Sequence, residues 1–100
     1  MKVYDVLTSG VMECLNSTKY KSPHTRRFDI CNRYNSAISY VLERTTENHY
    51  LDHVECALVK GCKGLITKSI CDNLNDEELE IYITRYAFPV IDRMFHNLEC

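Results

Sequence analysis

Along the first fifteen residues Val3, Leu7, Val11, Cys14 and Leu15 form one apolar series. Steps of four, four, three and one follow the period of an amphipathic helix, and they predict one over about residues 3–15 in spite of Thr8, Ser9 and Gly10. Asn16, Ser17 and Thr18 break the pattern, and residues 19–22 read as loop. Ser22-Pro23 is a start signal. The Ser hydroxyl accepts from a free first-turn amide, and Pro at the first helical position forfeits no intrahelical bond. Phe28, Cys31, Tyr34, Ile38, Val41 and Leu42 then recur every three or four residues and predict a second helix, from Pro23 or Arg27 to Glu43.

The polar run Thr45, Thr46, Glu47 and Asn48 predicts an interruption. After it, Tyr50, Leu51, Val54, Ala57 and Leu58 mark the inward face of a third helix, closed by Gly61, which tolerates the left-handed conformation common at helix ends. Residues 65–71 suit a short helix or a strand, and read as helix because no other segment offers a strand to pair with. The clearest boundary is Asn75, with Glu78 three residues later to complete a capping box and three acids favouring the positive helix terminus. Leu79, Tyr82, Ile83, Tyr86, Val90, Ile91 and Met94 continue as one long stripe. Pro89 has no amide proton for the carbonyl of Arg85 and its ring crowds that turn, so a kink or break is expected near Phe88. These elements predict an all-α fold: one domain over residues 1–100, a compact bundle of four or five helices.

Composition agrees with a packed domain. Hydrophobic residues make up 45% of the 100-residue chain and charged residues 26%, which argues against wholesale disorder, and the length excludes repeat arrays and multi-domain enzymes. No apolar run approaches a membrane span, so a soluble cytoplasmic protein with no membrane partner is expected. Six cysteines could form a secreted disulfide framework, but Cys14, Cys31, Cys56 and Cys71 occupy positions where a small hydrophobe would serve, which favours free thiols in a reducing compartment. Cys100 is expected to be a surface thiol.

Charge changes the picture more. Residues 16–44 carry Lys19, Lys21, Arg26, Arg27, Arg33 and Arg44 against Asp29 and Glu43, a net of +4, whereas residues 45–100 carry five basic and ten acidic side chains, a net of −5. Lys19, Lys21, Arg26, Arg27 and Arg33 are interleaved with Tyr20, His24, Phe28 and Tyr34, a mixture that meets phosphates with cations and bases with rings. The plainer reading of the same residues is a solvated face. His49, His53 and Cys56 share one stripe of a helix at i, i+4 and i+7, but the His-Glu-x-x-His pattern is missing and the chain has no Cys-x-x-Cys. No metal or cofactor is therefore expected. The chain also lacks a Gly-rich phosphate loop and a nucleophile elbow, which disfavours an enzyme.

Tyrosine is abundant at seven residues, with no Trp. Tyr suits places where one edge of the ring is dry and the hydroxyl wet. In the C-terminal segment Ile81, Ala87, Phe88 and Phe95 lie off the main stripe, which suggests a helix covered on two sides, and Tyr82, Tyr86, Phe88 and Phe95 are the candidate partner-binding residues. The expectation from sequence is a non-enzymatic binding or regulatory protein with a protein partner or a second copy of itself, in its narrowest form a phage-type inhibitor of a host defence or nucleic-acid-processing complex. The alternative is a nucleic-acid or nucleotide-binding regulator acting through residues 19–33.

Overall fold

The computed structural model describes residues 1–100. Two long antiparallel helices frame it: α1 (Val3–Ser17) and α2 (Pro23–Asn48), joined by a short loop. Ser22 caps α2 as its sequence predicts, accepting from the Thr25 amide, with Pro23 at the first turn. At 26 residues α2 is roughly 39 Å long by helix rise, matching the 39 Å long axis of the molecule. The remaining elements pack along this rod.

The interruption predicted at residues 45–48 is absent. Thr45 and Thr46 return their hydroxyls to the carbonyls of Val41 and Leu42, and the Asn48 amide does the same to Arg44. These polar side chains are thus satisfied inside the helix and do not end it. Termination falls instead on His49, at φ 56°, whose amide bonds the carbonyl of Thr45.

A bent helical stretch follows, made of α3 (His53–Gly61), a 3-10 turn (Cys62–Leu65) and α4 (Lys68–Asp72). Asp52 and Glu55 form a full capping box that starts α3 at His53. Residues 65–71 are helical from Lys68 onward, with Thr67 as cap, and no strand forms. Asn75 and Glu78 form the predicted capping box of α5 (Asp76–Tyr82). A π turn (Ile83–Ala87) then leads into α6 (Phe88–Phe95). The expected disruption ahead of Pro89 is this π turn: the Phe88 amide reaches back to the carbonyl of Ile83, and the widened loop removes the clash the Pro ring would make in α register.

The extra residue in the π turn also rotates the face of the helix. Leu79 is inward before it and Ile83 and Ala87 at its two ends; Phe88, Ile91 and Phe95 are inward after it, while Tyr86 turns out. Phe88 and Phe95 are therefore core residues, a correction to their expected place on a partner surface. The core unites Leu7, Val11, Ile30, Tyr34, Ile38, Val59, Ile66, Leu79, Ile91 and their neighbours in one cluster. A radius of gyration of 13.4 Å is that of a packed chain of this length, about 13 Å.

All six cysteines are unbridged, and only Cys56 is more than marginally exposed. Cys100 is buried, contrary to the expected surface thiol, because its amide donates to the Met1 carbonyl and the adjacent Glu99 pairs with Lys2. No helix is long and apolar enough to cross a membrane.

Candidate interaction surface

The five basic residues singled out from sequence do not act together. Arg26 and Arg27 are buried, 2% and 6% exposed. Arg27 donates from Nε to the Cys71 carbonyl (2.9 Å), from Nη1 to the Pro23 carbonyl (2.9 Å) and Asp76 (3.0 Å), and from Nη2 to the Leu74 carbonyl (2.6 Å). Arg26 donates to the Leu15 carbonyl and sits 3.5 Å from the same Asp76 carboxylate. The two guanidiniums tie α1, α2 and α4 to the start of α5. Satisfying several carbonyls with one fork is the use for which Arg suits a buried site.

Lys21 is paired with Asp29 at 3.0 Å, and Arg33 lies across Gly10, 3.5 Å from Glu13. Lys19 and Tyr20 remain free at the surface, Tyr20 98% exposed. Lys21 and Arg33, with Asp29, Ser17 and Ser36, line a shallow groove of about 370 Å³ between α1 and α2. Lys21 is paired with Asp29 in the same wall, which leaves Arg33, 3.5 Å from Glu13 outside the groove, as its second cation.

His49, His53 and Cys56 line one cleft of about 400 Å³ between the end of α2 and α3. They do not converge: no group of three His, Cys, Asp or Glu side chains is placed to hold a metal ion. Nearby, the Arg44 guanidinium lies between the rings of Tyr40 and Tyr50, 5.7 and 5.6 Å from their centroids. This is a cation–π stack on the protein's own surface.

What the sequence pattern misplaced is the outward face of α3. Of its five predicted inward residues only Leu51 is buried; Tyr50, Ala57, Val54 (69% exposed) and Leu58 (44%) face solvent. The capping box sets the helix start, and α3 packs through Val59, with Cys62 following in the 3-10 turn. A nine-residue helix laid on α2 cannot bury both of its apolar faces. Lys60 and Lys63 are exposed and neither is in an ion pair, Lys60 lining the cleft of His53 and Cys56, while Asp52 and Glu55 at the start of the helix are tied to the capping amides. Two apolar faces on one short helix were readable in sequence as Leu51, Val59 and Cys62 against Val54, Ala57 and Leu58.

A second outward patch lies on α5 and the π turn. Ile81 and Tyr86 are 44% and 54% exposed. Tyr86 stacks on Tyr82 at 5.3 Å between centroids, and the Tyr82 hydroxyl donates to the Leu65 carbonyl at 2.6 Å. That bond sets the tyrosine side of α5 against the 3-10 turn that continues α3. Burial pushes the Tyr82 phenol up from its ordinary pKa, with the neighbouring Tyr86 adding to it. Glu77, Glu80 and Arg85 are exposed nearby with no ion pair, while the Glu78 carboxylate accepts from the Asn75 amide.

No protein-family model matches the chain, and no curated protein or solved structure is detectably similar to it.

Proposed function

We propose that the protein is a non-enzymatic binding and regulatory module that works by protein–protein interaction through the outward faces of α3 and α5. The observation that carries this reading is the exposed helical stripe of Val54, Ala57 and Leu58, beside a second patch of Ile81 and Tyr86. Grouped apolar side chains rimmed by charge are the composition of a binding surface, whereas single exposed apolar residues are ordinary. The acidic rim of α5 supports the narrower form, an inhibitor that covers a basic cleft of a host defence or nucleic-acid-processing complex.

Phosphate recognition through residues 19–33 is the second reading. It is supported by the fully exposed Tyr20 beside Lys19 and Lys21, and it proceeds without Arg26 and Arg27, whose guanidiniums are buried inside the fold.

The test is affinity capture from extracts of the expressing cells, comparing the native chain with the double variant Val54→Glu, Leu58→Glu. A partner held by the native chain and lost from the variant is expected. Identical captured proteins in both would overturn the assignment of the α3 face.

A further inference from the structure

Two thiols meet where α4 packs directly on α2. Cys31 lies on the inward side of α2, one turn beyond Arg27, and Cys71 lies near the end of α4. Arg27 fixes their spacing: its Nε donates to the Cys71 carbonyl at 2.9 Å and its Nη2 to the Leu74 carbonyl at 2.6 Å. A residue four positions on shares the face of the helix, which sets Cys31 against the Cys71 side chain. The two thiols interact side chain to side chain. The remaining cysteines are engaged elsewhere. The Cys62 thiol donates to the Val59 carbonyl at 3.0 Å, Cys14 adjoins the Thr18 hydroxyl, Cys56 lines the cleft beside α3, and Cys100 is held by the Met1 backbone.

The pair is asymmetric. Cys31 is 8% exposed and Cys71 fully buried. Lys68 and Asp72, ion-paired at 3.0 Å and half-exposed, flank Cys71 on α4, and both charges act on Cys31. The Cys71 thiol lowers the pKa of Cys31 against the opposing effect of burial, whereas Cys71 is pushed up, by Cys31 first and by burial next. Thiolate character and access decide which sulfur an oxidant reaches, and both favour Cys31. Cys71 is the sulfur in position to react with it afterwards.

We propose that Cys31 and Cys71 are a redox pair, oxidised by a hydroperoxide to a reversible disulfide that fastens α4 to α2. The Cys31 thiolate attacks one peroxide oxygen, the O–O bond breaks, and the departing hydroxide takes up the proton that Cys31 released, leaving a sulfenic acid. The Cys71 sulfur then attacks the Cys31 sulfur. An S–S bond forms, the S–O bond breaks, and the Cys71 proton leaves with the hydroxyl as water. The thiols give up a pair of electrons and a pair of protons, and hydrogen peroxide is reduced to water. The closed loop contains the whole of α3, so the bridge also restricts the unfolded chain over that stretch. This chemistry is independent of what the outward faces of α3 and α5 bind.

Peptide mapping of the native chain tests the pair. Hydrogen peroxide is added to the folded, reduced protein, free thiols are blocked with iodoacetamide before unfolding, and the chain recovered at monomer mass is digested with trypsin without reductant. The expected product is the peptide Phe28–Arg33 joined to Ser69–Arg85, about 2 Da lighter than the reduced peptides together and separated by dithiothreitol. Cys31 and Cys71 recovered unlinked, or Cys31 joined to another cysteine, would overturn the pair. The order of attack is read from variants that keep the native helical signal: Cys71→Ser should retain a Cys31 sulfenic acid that dimedone captures, and Cys31→Ser should leave Cys71 unlabelled. The reverse pattern would overturn the assignment of Cys31 as the thiol attacked first. The bridged chain should melt about 10 °C above the reduced one and return to it with dithiothreitol. An unchanged or lower midpoint would overturn the fastening of α4 to α2.

Discussion

Arg27 carries more of the structure than any other polar side chain: its donors reach three carbonyls and a carboxylate on three different parts of the chain. A lysine at this position has a single ammonium and cannot reproduce the planar fork, so Arg27→Lys leaves buried carbonyls unpaired. It is expected to cost about 2–3 kcal/mol in chemical denaturation. Lys19→Ala, at an exposed side chain with no hydrogen bond or ion pair, should change stability by less than about 0.5 kcal/mol. Equal, small effects at the two positions would contradict the assignment of Arg27 as an internal clamp. Sequence alone cannot separate these residues, because Arg26, Arg27 and Lys19 look alike as charges. Their difference comes from the carbonyl ends of distant turns, Cys71 and Leu74, which only the tertiary fold brings to the start of α2. Cys100 is a similar case: position in the chain suggests exposure, whereas pairing with the Met1 backbone buries it.

At the scale of elements, local signals were legible wherever a cap or a period decides. Ser22-Pro23, the Asn75–Glu78 box and the 3.6-residue spacing in α1 and α2 all appear in the structure. The Asp52–Glu55 box is just as local and marks the start of α3, yet the apolar residues on either side of it obscured that start. Phe88 and Phe95 illustrate the limit of periodicity, since one inserted residue in the π turn re-aims everything after it. Between elements, the Tyr34 hydroxyl donates to the Cys62 carbonyl at 2.7 Å and fastens α2 to the 3-10 turn. Tyr34→Phe should cost about 1–2 kcal/mol at neutral pH by leaving that carbonyl unpaired. Burial, followed by the bond to Cys62, pushes the Tyr34 phenol far up. The folded state thus holds this proton more tightly than the unfolded chain. The associated stability is fully present below the unfolded pKa of about 10 and is lost as pH rises beyond it. The gap between native chain and Tyr34→Phe should accordingly close above about pH 10 and invert about one unit higher. Thermal melts across pH 8–11, about the window in which Tyr begins to ionise, check this; a gap independent of pH would contradict the buried, neutral phenol.

For the whole molecule, the distribution of charge was legible as +4 in residues 16–44 and −5 in residues 45–100, but its use was not. Folding draws part of the basic segment inward onto Asp76 and leaves the glutamates of α5 outside. Among the exposed apolar side chains of the resulting surface are Val54 and Leu58 on α3 and Ile81 on α5. The functional reading stands on those side chains being surface and not core. Thermal unfolding of the Val54→Glu, Leu58→Glu variant, followed by circular dichroism at a concentration where the native chain is monomeric, tests this most directly. Two glutamates on a solvated face should leave the helical signal intact and the midpoint within about 4 °C of the native chain. A midpoint lowered by more than about 10 °C, the mark of charges forced into a core, would contradict the account.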